Sequence, residues 1–362
     1  MWLRLWRDND HDAINIGCHR FQFVEGIRPL QHAATFEPGH HHAKRITAHP
    51  GLRETFALNA LVGVDFAAWR LYAAENGITS FDDLIPPAYR PALAARHERV
   101  ACIPLMAYAV PVEEIRGAVD DGFFFMKIKI GQPGTQAEML EKDKARLTAI
   151  HAAIGGARTP WTANGKLPYY FDANGRYESK DTLLRLLDHA RAIGAFDQIA
   201  LLEEPFPEEL EIDIRDIPAR VAADESAHTD ADALRRIEMG YSAIALKPIA
   251  KTFSMSLKIA RLAHERGVPC FCADLTVNPV LVEWNKAVAA RLAPFPGLGL
   301  GLLETNGHQN YRNWESMRAH LPAPDAAWTR PRGGVFELDA DYYARSGGVL
   351  APLPHHEKLG GF

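Results

Sequence analysis

Cysteine is scarce: Cys18, Cys102, Cys270 and Cys272 are the only four in 362 residues. They are too scattered for a disulfide framework, so reduced thiols are expected. Cys270 and Cys272 alternate along one apolar run and read as small core residues rather than metal ligands. Basic charge is also short. Forty Lys and Arg against 45 Asp and Glu leave a net charge of −5, with no basic footprint for nucleic acid. No apolar run reaches membrane-spanning length, and the opening MWLRLWRDNDHD lacks the apolar stretch of a secretory leader. The expectation is a cytoplasmic protein without a membrane partner. Internal repeats and low-complexity segments are missing too, beyond the run His40, His41 and His42, which sits after EPG and reads as a surface loop.

What is present is an alternation. From about residue 98 the strand signals RVACIPL, FFFMKIKI, PYYFD, IALLEE, RVAADE, SAIALK, PCFCAD and LGLGLLE are separated by helix signals. Ser179 opens one helix and Gly194 closes it; Thr229 and Gly240 bracket another; Gly267 follows a third. Eight strand and helix units in about 200 residues predict an α/β fold, a (β/α)8-type barrel of modified TIM-barrel form. Residues 98–320 are assigned to this barrel catalytic domain, and residues 1–97 to an N-terminal α+β capping domain containing one long helix, ETFALNALVGVDFAAWRLYAAENG. Residues 321–362 form a C-terminal segment expected to pack back on the cap. Between Gly155 and Pro168 lies a stretch rich in turn formers, read as an insertion that could overhang the site.

Charges stand at the ends of these strands: Lys127, Lys129, Asp172, Glu203, Asp224 and Lys247. An ionised group at the last inward position of an apolar run is costly to bury without a partner. Asp172, Glu203 and Asp224, from consecutive strands, suit a hard divalent cation that takes oxygen ligands. Each residue also has a plainer reading. The two lysines of MKIK could lie on a solvated face, Asp172 could be an Asx-turn residue, Glu203 and Glu204 a strand end meeting water, and Asp224 or Glu225 a helix cap. Glu225 could also bond a lysine, and Lys247 could be a surface residue. Strand alternation forbids Glu203 and Glu204 from both pointing inward.

At these motifs the chain resembles the enolase superfamily, in its mandelate racemase/muconate-lactonizing-enzyme group. KxK at Lys127 and Lys129 and the DAN, EEP and ADE strings carry the resemblance, over about residues 55–310. It implies that Asp172, Glu203 and Asp224 hold Mg²⁺, or Mn²⁺ in its place, that Lys129 and Lys247 are the acid/base pair, and that Lys127 binds the substrate carboxylate. The second and sixth strands of an eight-stranded barrel are opposed, so the two lysines would face a substrate from two sides. A nearby cation and partial desolvation would lower a lysine's pKa enough to make it a base. The implied activity is abstraction of the α-proton of a small carboxylate to give an enediolate, with racemisation or epimerisation favoured. Cycloisomerisation and hydroxy-acid dehydration share the first half-reaction, and a catalytically idle metal-binding barrel is the alternative outside enzymes. A homo-oligomer is compatible with all of these.

Two further strand ends bear on the substrate. The seventh carries Asp274 and lacks the histidine that the mandelate-racemase branch uses, which favours lysine chemistry. The eighth carries Glu304 and Asn306, with the spacing of the Asp-x-Asp pair by which dipeptide epimerases of the group hold a substrate ammonium. Both are candidate substrate-binding residues. A lone carboxylate at Glu304 would either bind a cationic group of the substrate or pair with a neighbouring lysine, Lys127 or Lys129.

Overall fold

A computed structural model of the chain describes residues 53–353 and 355. Most of the expected cap, Cys18 and the His40–His42 run lie outside the described residues. All eight expected strands form: β1 (Arg99–Ile103) continued by β2 (Leu105–Met106), then β3 (Met126–Lys129), β4 (Tyr169–Asp172), β5 (Ile199–Glu203), β6 (Val221–Ala223), β7 (Ala243–Leu246), β8 (Cys270–Cys272) and β9 (Gly301–Glu304). Pro104 interrupts the first barrel strand because it has no N–H to give the ladder. β1 pairs with β9 and β2 pairs with β3, both parallel, so the two halves of one strand close the sheet into a barrel. The strands are short and nearly all buried, as parallel strands covered on both sides must be.

Alternation decides what fills the barrel. Phe125 stacks on Tyr170 at 5.6 Å, and Tyr170 meets Phe271 edge-on at 5.7 Å, so an aromatic layer packs the interior. Cys270 and Cys272, on either side of Phe271, are buried free thiols. Two residues beyond the aromatic ones along β3 and β4, Lys127 and Asp172 occupy the same inward face. The charges thus sit above an apolar plug at the C-terminal ends of the strands.

Up to β9 the helices, in chain order, are α1 (Glu54–Asn59), α2 (Val62–Glu75), α3 (Phe81–Leu84), α4 (Val112–Asp120), α5 (Gln136–Ile154), α6 (Lys180–Ala192), α7 (Asp230–Glu238), α8 (Pro248–Lys251), α9 (Phe253–Glu265) and α10 (Pro279–Ala289). Ser179 caps α6 by accepting from Thr182 N at 3.2 Å, and Thr229 caps α7 in a reciprocal box with Asp232. The long helix expected over residues 54–77 is two, broken at Ala60 and Leu61. The unit count is also corrected: among the described residues no helix lies between β5 and β6, where PFPEELEIDIRDIP carries three prolines and winds as turns.

α2 is fixed to the barrel by Asp65, which is fully buried and accepts from Phe253 N at 2.8 Å, Ser254 N at 3.0 Å and the Ser254 hydroxyl. The two amides belong to the first turn of α9, where no carbonyl of the helix reaches them. The C-terminal segment adds β10 (Val335–Glu337) antiparallel to β1. Beyond it, Ser346 Oγ accepts from Phe81 N at 2.7 Å, and Ala351 O accepts from Arg70 at 2.9 Å.

The segment between Gly155 and Pro168 does not overhang the strand ends that carry the charges. It follows α5 and precedes β4, so it lies at the N-terminal end of the barrel, as every helix-to-strand connection does in this topology. The expectation that it covers the site is overturned by chain direction alone.

Candidate active site

Lys127, on β3, is the hub. Its Nζ lies 2.9 Å from Asp172 Oδ2, 2.9 Å from Glu203 Oε1 and 3.1 Å from Glu304 Oε2, and the side chain is only 4% exposed. The β4 and β5 ladder places Asp172 beside Glu203, and β3 places Lys129 beside Asp172. Lys129 bonds Asp172 and the Asn174 side chain. Across the barrel Lys247 bonds Asp224 and lies 4.0 Å from Glu225 Oε1. The burial of Lys127, and the pairing of a mostly buried Lys129 with Asp172, exclude a solvated-face reading of the MKIK lysines.

Glu203 and Glu204 part as the pleat requires. Glu203 faces the barrel axis, bonded by Lys127 and by the Tyr170 hydroxyl. Glu204 has φ of +40° and turns to the β6 end, where one oxygen accepts from Asp224 N at 2.7 Å and from Ser226 N and Oγ at 3.2 and 3.0 Å. Burial, together with the Glu225 charge, pushes its carboxyl up to about 7.

The carboxylates that converge most closely are Glu203, Asp224 and Glu225, whose nearest oxygens all lie within 4.8 Å of one another. Asp172 stands outside that trio, with its Oδ2 against Lys127 and Lys129. Around the site five carboxylates, Asp172, Glu203, Asp224, Glu225 and Glu304, face four ammoniums, Lys127, Lys129, Lys247 and Lys251. Burial pushes Glu203 well above the ordinary carboxylate range, reinforced by Asp224 and Glu304 and only partly offset by Lys127. Glu225 Oε2 is buried without a hydrogen bond. An all-oxygen donor set with uncompensated negative charge fits a hard divalent cation.

Burial lowers the pKa of Lys247, but the Asp224 and Glu225 charges outweigh it and hold the ammonium above its ordinary range; a divalent cation on those two carboxylates would cancel that pull and restore the direction expected of a base. Of the two roles open to Glu304, the structure shows the pairing with Lys127. Its Oε2 also accepts from Asp274 N at 3.0 Å, which leaves no charge-based argument for an ammonium-bearing substrate. Asn306 donates its backbone N–H to Asp274 Oδ2 at 2.7 Å, while its Oδ1 is buried without a partner. Burial, with Glu304 nearby, raises Asp274 to about 6.

Sequence reasoning missed Lys251, which is fully buried and donates to Asp224 O at 2.5 Å and Ala227 O at 3.0 Å, with Asp224 Oδ1 at 3.3 Å. Burial pushes the Asp224 carboxyl up, yet Lys247, Lys251 and Lys127 together hold it below the usual range. Its signal was the spacing: Lys251 follows Lys247 by one helical turn. Tyr170 was missed as well, two residues before Asp172 on the same strand face.

Among the described residues no helix is long and apolar enough to cross a membrane. The model of the enolase C-terminal domain-like family matches residues 111–302. Solved structures share the fold at low identity. A mandelate racemase/muconate lactonizing protein from Herpetosiphon aurantiacus aligns with TM-score 0.54 at 18% identity, covering 83% of this chain and 73% of its own. A mandelate racemase/muconate lactonizing enzyme from Roseiflexus sp. gives 0.54 at 20%, covering 78% and 72%. An N-succinyl Arg/Lys racemase from Bacillus cereus gives 0.54 at 15%, covering 79% and 68%. No curated protein sequence matches. With the strand-end charges in one barrel mouth and the family match spanning more than half of its residues, the chain belongs to the enolase C-terminal domain-like family, in the mandelate racemase/muconate lactonizing enzyme group of the enolase superfamily.

Proposed function

We propose that this chain is a divalent-cation-dependent enzyme that moves the α-proton of a small carboxylate substrate, with racemisation or epimerisation at that carbon as the outcome. The supporting observation is strand order. Lys129 lies on the second barrel strand and Lys247 follows the sixth, four apart in a closed ring of eight. Lys129 Nζ would take or return the proton on one face of the α-carbon and Lys247 Nζ on the other. Lys127, buried among carboxylates at the centre, would bind and orient the substrate carboxylate. Glu203 and Asp224, flanked by Asp172 and Glu225, would hold Mg²⁺ or Mn²⁺, which supplies positive charge for the enediolate oxygens. The aromatic plug of Phe125, Tyr170 and Phe271 closes the barrel beneath and excludes water from that side.

The test is incubation with acids, acylated amino acids and dipeptides in D₂O and Mg²⁺, following α-deuteration by mass. A two-base enzyme loses turnover in both Lys129→Ala and Lys247→Ala, while each variant still exchanges the α-proton of one enantiomer. Full turnover in Lys247→Ala would point to a one-base cycloisomerase or dehydratase. An absence of exchange with every acid would leave an idle barrel.

A further inference from the structure

We propose that the N-terminal end of the barrel carries a second ligand site, built by the segment between Gly155 and Pro168, that takes a phosphate monoester on a planar ring, of which a mononucleotide is the natural form. A cavity of about 510 Å³ opens there, lined by Arg99, Arg158, Arg332, Trp161 and Phe124 among others. Its size falls within the range of small-molecule sites, about 300–1,000 Å³. It lies beside the starts of β1, β3 and β4, whereas the carboxylates and lysines of the candidate active site stand at the opposite strand ends.

Both walls are held by backbone contacts. On one side Arg158 bridges Lys166, Thr159 N donates to Gly165 O at 3.0 Å, and Thr162 Oγ1 donates to Lys166 O at 2.7 Å. On the other, Gly122 at φ +93° lets residues 333–334 close in; a Cβ at Gly122 would lie 2.7 Å from Gly333 Cα.

The lining defines the ligand. Arg99 is neutralised by Glu337, whose two oxygens both lie 3.0 Å from Nε. Arg158 and Arg332 meet no carboxylate among the described residues, and Glu337 is the sole acidic residue of the lining. Three guanidiniums against one carboxylate leave two positive charges, the match for a phosphate dianion gripped by planar donor forks. Trp161 lies stacked on Phe124, with centroids 5.5 Å apart and planes 29° apart, and remains half-buried. The Arg99 guanidinium lies 5.8 Å from the Trp161 ring centroid, so a flat ring attached to the phosphate would meet the edge of this aromatic pair or take the place of Arg99 on its face.

The test is calorimetric titration of the full chain with AMP, with inorganic phosphate and adenosine as separate arms, in EDTA so that no cation bridges ligand to the carboxylate site. AMP is expected to bind at least about ten-fold more tightly than phosphate, and adenosine not to saturate. Arg158→Gln and Arg332→Gln should each weaken AMP by about ten-fold with the melting temperature unchanged, since both side chains are exposed. Trp161→Leu should weaken AMP and leave phosphate unaffected. The proposal is overturned by no AMP heat at millimolar concentration, by equal affinity in the Arg158→Gln/Arg332→Gln double variant, or by phosphate binding as tightly as AMP. Loss of AMP binding in Glu203→Gln alone would place the ligand at the other end and overturn it as well.

Discussion

The Lys127 ammonium and the Glu304 carboxylate lie 3.1 Å apart, across the seam where β9 and the first barrel strand close the ring. Glu304 therefore helps balance a lysine instead of presenting a free charge to substrate. Glu304→Gln keeps the shape and removes the charge. The ratio of kcat/KM between ammonium-bearing and neutral acids is expected to change by less than about three-fold. A ten-fold loss confined to cationic substrates would instead assign Glu304 to substrate recognition.

Glu203 shares its surroundings with Asp224 and Glu225, and burial, reinforced by the Asp224 and Glu304 charges, raises its pKa. A bound divalent cation should lower it. Mg²⁺ at about a hundred times its Kd stabilises a protein that binds it only when folded by about 2.7 kcal/mol, a rise on the order of 3–6 °C in Tm for a chain of this size. Glu203→Gln is expected to abolish that rise in a thermal melt with and without Mg²⁺. A full rise in the variant would remove Glu203 from the ligand set.

Much of this site was legible in the sequence because a charge ending an apolar run has few inexpensive places to go. Lys127, Asp172 and Glu203 had to be inward and paired, and alternation separated Glu203 from Glu204. Helix caps at Ser179 and Thr229 were equally plain, since they satisfy donors next to them in the chain. Partners distant in sequence were not legible. Glu304 reaches Lys127 only after the barrel closes, and Lys251 reads as an ordinary helix lysine until its helix is packed against the β6 end. The insertion before β4 was misplaced for a different reason: its composition reported a loop, but only its position after a helix and before a strand says which end of the barrel it covers.

Lys251 holds the chain around Asp224 from behind, through two carbonyls and one carboxylate oxygen. Lys251→Met keeps the length of the side chain and strands those acceptors in a dry interior. Removing one member of a buried charge pair costs on the order of 3–5 kcal/mol. The urea midpoint should fall accordingly with an unchanged slope. A loss below about 1 kcal/mol would mean that Lys247 alone satisfies Asp224.

Asp65 couples stability to pH through the contact between α2 and α9. Burial raises its carboxyl from the ordinary 3.8 to about 6, outweighing the hydrogen bonds from Ser254 and Phe253. The folded chain therefore binds more proton here than the unfolded chain between those values. Stability from this group is full below about pH 4, is lost as pH rises towards about 6, and is level above that. Two pKa steps correspond to a few kcal/mol, on the order of 2–3. Asp65→Asn removes the titration and keeps an acceptor at the start of α9. In urea unfolding at pH 4 and pH 7, the wild type should lose about that much relative to Asp65→Asn on going to the higher pH. A gain instead would mean that the helix-start amides, and not burial, set the charge state of Asp65.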